Sequence, residues 1–180
     1  MSYFELLKDI LSVPQIVYNA GNEKAWHDFE KNIGIIFPKD YKELIGTYGT
    51  GGIGDFIWFL TPFEEDDNIN FFKRMNAMLE AYRISKSHFP NYFIHNIYPE
   101  KDGLLPWGYT DNGDELYWKT NGFPEKWSII IYESASPEYH EYKMQLAEFL
   151  YKIIIRELIC DVFPEDLSEG KVDYVSVELK

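Results

Sequence analysis

Three stretches of this 180-residue chain hold residue types that could do chemistry. Gly49-Thr50-Gly51-Gly52-Ile53-Gly54 matches the G-x-G-x-x-G spacing of a dinucleotide loop letter for letter. Such a loop holds a pyrophosphate only when a strand precedes it and a helix N-terminus follows, because the helix N–H groups bind the anion. Here the pattern before the run is helical and the pattern after it is a strand. The run therefore reads as a glycine turn from helix to strand. Asp111, Asn112, Asp114 and Glu115 crowd oxygen donors together, but a calcium loop needs alternate acidic positions, Gly at six and Glu at twelve. Asn112-Gly113 reads instead as a type I′ hairpin turn. The histidines, His27, His88, His95 and His140, stand in no H-x-x-x-H or H-E-x-x-H arrangement. Cys160 reads as a small buried hydrophobe near the end of the last helix. There is no G-x-S-x-G elbow and no P-loop. No catalytic group, cofactor or metal is expected, and the chain is not read as an enzyme.

What is left is the chemistry of recognition. Glu64-Glu65-Asp66-Asp67 is a run of four acids, readable as a solvated loop or as part of an acidic docking surface. The chain carries 30 acidic against 17 basic side chains, a formal charge of -13, with a pI near 4.7. A nucleic-acid binder needs a basic footprint, so nucleic acid is excluded, as are anionic membranes. A basic protein partner is favoured. Aromatic residues make up 18% of the chain, and strand alternation turns some rings of a sheet away from its core. The expected partner-binding residues are therefore Glu64, Glu65, Asp66, Asp67, Asp111 and Asp114, with Trp107 and Tyr109 as aromatic anchors. One cysteine makes no internal disulfide, which suits a reducing cytoplasm. The opening MSYFELLKDILSV lacks a basic n-region and a long apolar stretch, and no run approaches a membrane span.

These residues need elements to hold them. Phe4, Leu7, Ile10 and Leu11 recur at helical spacing, and a second helix is expected over Asn22 to Ile33. Pro38 fits the first turn of a third, striped by Tyr41, Leu44, Ile45 and Tyr48 and ended by Gly49 in αL geometry. Asp55 to Leu60 reads as a strand. Asn68 to Phe89 reads as a long helix with Phe72, Met75, Leu79 and Tyr82 facing inward. A meander follows over Leu104–Tyr109, Glu115–Trp118 and Trp127–Tyr132, the last as a buried central strand. Ser136 and Pro137 look like the cap and first position of a long final helix carrying Tyr139, Tyr142, Leu146, Phe149 and Ile153. Lys171 to Leu179 alternates as an added edge strand or a loose end. The expected fold is α+β in a single domain over 1–160: a mostly antiparallel or mixed central sheet, N-terminal helices and a long helix after the sheet. Residues 161–180 are expected to form a C-terminal extension.

Two blocks carry a resemblance to a known family. One is Phe29-Glu30-Lys31-Asn32-Ile33-Gly34, then Phe37-Pro38-Lys39-Asp40-Tyr41-Lys42-Glu43-Leu44, closing on Gly51-Gly52. The other is Leu104-Leu105-Pro106-Trp107-Gly108-Tyr109-Thr110-Asp111-Asn112-Gly113-Asp114-Glu115-Leu116-Tyr117-Trp118, with Pro124 and Trp127 after it. Together, over about Trp26 to Leu150, they resemble the SUKH superfamily, the domain first named for a fungal cell-wall-synthesis regulator. The resemblance implies an α+β fold and an immunity protein that neutralises a toxin, often a nuclease, by binding it. It supplies no catalytic residues, and Trp107, Gly108, Gly113, Asp114 and Trp118 look like fold signature. The alternative is a regulatory scaffold or small-ligand module of the same type without a toxin partner.

Overall fold

Polar side chains cap the starts of three helices. In the computed structural model, which describes residues 1–134, 136, 138–168 and 172–177, Ser2 Oγ accepts the Glu5 N–H ahead of α1 (Tyr3–Ile10). Asn22 caps α2 (Glu23–Ile33), which ends on Gly34 in αL geometry. Pro38 is the N-cap of α3 (Lys39–Tyr48) rather than its first residue. Gly49 ends α3 with positive φ but an extended ψ of -156°, so it is not an αL cap. Asn70 caps the 18-residue α4 (Phe71–His88), and α5 spans Leu146–Ile154.

Among the described residues seven strands form one sheet: β1 (Gly51–Ile53), β2 (Ile57–Phe59), β3 (Leu104–Thr110), β4 (Glu115–Lys119), β5 (Ser128–Tyr132), β6 (Tyr139–Tyr142) and β7 (Tyr174–Ser176). Their order is β6-β5-β4-β3-β2-β1-β7, and every neighbouring pair is antiparallel. The two faces are told apart on β4. Tyr117 meets Tyr82 of α4, while its neighbour Trp118 meets Tyr41 of α3 at 4.9 Å between ring centroids. On the Trp118 side, Phe149 of α5 packs on Tyr142, and α5 in turn packs on α1 and α3. This is the α+β arrangement with helices before the sheet and a helix after it.

Several local expectations give way to packing. Gly51 to Ile53 is a strand and not a turn. A Cβ on Gly52 would stand 2.5 Å from the Ile57 carbonyl oxygen, so glycine lets β1 lie close against β2. The Asn112-Gly113 turn is not type I′, since only Gly113, at φ +86°, has positive φ. On α4 it is Phe71 that is buried among Phe37, Phe29 and Tyr41, and Phe72 is exposed. Every residue of β5 is buried, one strand in from the edge rather than central. Tyr139 to Tyr142, expected as the start of the final helix, is the edge strand β6. Its tyrosines suit a pleated surface, and β5 has a free edge to offer. The helix proper is nine residues long, and Cys160 lies beyond it, buried. Pro137, Lys171 and Leu179 lie outside the described residues.

Candidate partner interface

One row of side chains crosses five strands. Trp58 pairs with Tyr109, Tyr109 with Glu115, Glu115 with Tyr132 and Tyr132 with Tyr139. Paired positions share a face, so these five stand side by side on the face that carries α4. Toward β6 the row is sealed at Tyr132, and Tyr139 beyond it is half-buried on the edge strand. The Tyr132 hydroxyl lies 2.8 Å from that of Tyr82 and 3.0 Å from His95 Nδ1, and the His95 N–H donates to the Tyr82 hydroxyl. Burial pushes the Tyr132 phenol far up. The other end is open: Trp58 and Tyr109 are half-buried.

Charge gathers at the open end. The Arg74 guanidinium, from the second turn of α4, stands over the Tyr109 ring, and its Nε is buried without a hydrogen-bond partner. Burial raises the Tyr109 phenol above its ordinary value. Arg74 opposes that shift, and Asp66 and Asp111 add to it. Burial also raises Glu115, against the pull of the Tyr117 hydroxyl, which donates to it at 2.7 Å, and of Arg74. Trp58 Nε1 donates to Asp111 at 3.3 Å. Two amphipathic rings thus stand beside one held cation inside a rim of carboxylates. That arrangement suits recognition of a basic surface.

The structure divides the expected contact residues. Asp66, Tyr109 and Asp111 come together. Glu65 is exposed beside them, and Asp67 is paired with Lys73 at 2.5 Å. Glu64 does not belong to any rim. It is buried, accepts from Asn19 Nδ2 at 2.7 Å and caps the Glu65 and Asp66 N–H groups of its own loop. Trp107, fully buried against Phe59 and Trp118, is core and cannot anchor a partner. Asp114 is 2% exposed and fixes the β3–β4 turn by accepting from Thr110 Oγ1 and from the Ser134 N–H. Sequence reasoning passed over Trp58 and Arg74 and weighed Glu115 only as a metal donor. Alternation along Ile57-Trp58-Phe59 was the available signal for Trp58, since it sets that ring opposite its two apolar neighbours.

The family model described as SUKH_6: SMI1-KNR4 cell-wall matches residues 23–150, from the start of α2 into α5, a span that holds the whole row. No curated protein and no solved structure matches the chain. Among the described residues, no helix is long and apolar enough to cross a membrane.

Proposed function

The chain belongs to the SUKH family, described as SMI1-KNR4 cell-wall, and from that premise we propose that it is a non-catalytic immunity protein that occludes a basic toxin by stoichiometric binding. The observation that carries the reading is the open end of the aromatic row, where Trp58 and Tyr109 stand beside the carboxylates of Asp66 and Asp111. Aromatic anchors supply binding energy at an interface, and the carboxylates around them steer a positive partner. A nuclease toxin fits this chemistry, because its substrate channel must be basic. The net charge of -13 acts in the same direction over longer range. The site of action is the cytoplasm, where such a toxin would meet its substrate.

The test is affinity capture of the tagged chain from its source cell, followed by co-expression with the captured partner. The expected result is a basic protein, held one to one, whose toxicity the chain suppresses and the Tyr109→Ala variant suppresses less well. Capture of a non-toxic or acidic partner would overturn the immunity reading in favour of a regulatory scaffold.

A further inference from the structure

We propose that Glu133, Glu138 and His140 form a binding site for a divalent first-row transition ion of the zinc class. The site lies on the outer hairpin of the sheet. Beyond the last paired residues of β5 and β6, the strands continue by one step, where the Glu133 N–H donates to the Glu138 carbonyl at 3.3 Å. Since Tyr132 and Tyr139 point to the α4 face, alternation sets Glu133 and Glu138 on the opposite face. His140 lies two residues along β6 from Glu138 and shares its face. One ligand atom from each of the three lies within 4.8 Å of the other two. Ligands about 2.1 Å from a zinc ion stand roughly 3.4 Å apart around a tetrahedron, so the side chains need to close by up to about 1.4 Å.

Two further observations point to a cation. Like charges directly opposed across two strands repel, and among the described residues neither Glu133 nor Glu138 has an ion-pair partner. His140 Nε2 is buried with no hydrogen-bond partner, a condition that costs free energy until something fills it. Imidazole among the ligands selects transition ions over magnesium and calcium. Three protein ligands leave the remaining position to water. The ion would tie β6, the outermost strand, to β5. This reverses the sequence-based expectation that the chain binds no metal. The spacing Glu133-x-x-x-x-Glu138-x-His140 matches no helical ligand motif, and only the hairpin register brings the three together. The site lies on the face opposite Tyr109, so it stands or falls apart from the proposed interface.

The experiment is calorimetric titration of the intact chain with ZnCl2, with Co²⁺ absorption as a reporter of coordination. The expected result is one saturable Zn²⁺ per chain, a melting temperature that rises with Zn²⁺ and visible Co²⁺ bands of four-coordinate intensity. His140→Gln should abolish the bands. Because that ring is partly buried, the exposed Glu138→Gln serves as the second variant. It should weaken Zn²⁺ binding by about tenfold or more, since loss of even an outer-shell partner costs a metal site that much, without lowering the metal-free melting temperature. Absence of saturable binding overturns the proposal. So does wild-type affinity in both Glu138→Gln and Glu133→Gln, which would place the ion elsewhere, and so does equal competition by Mg²⁺.

Discussion

The Arg74 guanidinium carbon lies 5.4 Å from the centroid of the Tyr109 ring, and this contact joins the start of α4 to the end of β3. A cation held over a ring face is attracted by the ring's quadrupole. The contact also limits where the ring can turn, so Tyr109 is held in place within the fold. At the proposed interface, the cost of ordering that anchor would then be met in advance.

Tyr109→Ala should therefore weaken binding of the captured partner by about tenfold or more, roughly 1.4 kcal/mol, mainly through faster dissociation. Arg74→Met should give a smaller loss in the same direction. Surface plasmon resonance with each variant reads both rates. Dissociation unchanged in Tyr109→Ala would remove the ring from the interface.

The acidic run should split in two. Glu65→Gln, Asp66→Asn and Asp67→Asn together should slow association by roughly tenfold at low salt, with the gap narrowing as salt rises. Their melting temperature should hardly move. Glu64→Gln should do the reverse. It weakens a buried acceptor that serves Asn19 and two backbone N–H groups, at a cost of about 1–3 kcal/mol. Thermal denaturation of the two variants side by side decides whether Glu64 is structural.

Gly113→Val tests the β3–β4 turn. A Cβ there meets only the Ser134 Cβ, at 3.7 Å, so space is not the constraint. The backbone at φ +86° is, and a β-branched residue should cost on the order of 1–3 kcal/mol. Gly113→Asn, which tolerates positive φ better, should lose visibly less. Equal melting temperatures for the two variants would contradict the strain argument.

Acid should destabilise the fold through His95. Burial holds its imidazole below the ordinary value, and Lys119 and Lys86 add to that against Glu141. The unfolded chain then binds this proton more readily, near pH 6.5. The His95 contribution is full above that pH and is lost as pH falls through it toward the folded value. Asp40 and Glu115, both raised first by burial, act with the opposite sign, losing stability as pH rises above the ordinary carboxylate range. The comparison is the slope of melting temperature between pH 7.5 and 5.5 in wild type and His95→Gln. A slope as steep in the variant would assign the effect to another group.

Much of the local structure is legible in the residues themselves. Asn22 and Gly49 mark helix ends because a cap is a contact within three or four residues. The stripe of α3 and the strands β3, β4 and β5 follow from periodicity, and the ordered blocks around Phe37-Pro38 and Leu104 to Trp118 carry the family. Choices between equals are not legible in this way. Phe71 and Phe72 are the same residue at adjacent positions, and only the placement of Phe37, just ahead of α3, and of Tyr41 within it decides which is buried. The tyrosines at 139 and 142 satisfy helical spacing with Leu146 and Phe149, yet the open edge of β5 claims them as a strand. Four consecutive acids look alike until Asn19, 45 residues before Glu64, takes one of them inside. Trp107 and Tyr109 lie on one strand, but the register shift between Pro106 and Gly108 and the helices on each face make the first core and the second surface. Local order rests on short-range hydrogen bonds and period, which the chain carries in its own sequence. Burial and the grouping of Trp58, Arg74 and Tyr109, or of Glu133, Glu138 and His140, rest on pairings between distant segments, and those exist only once the sheet has set its register.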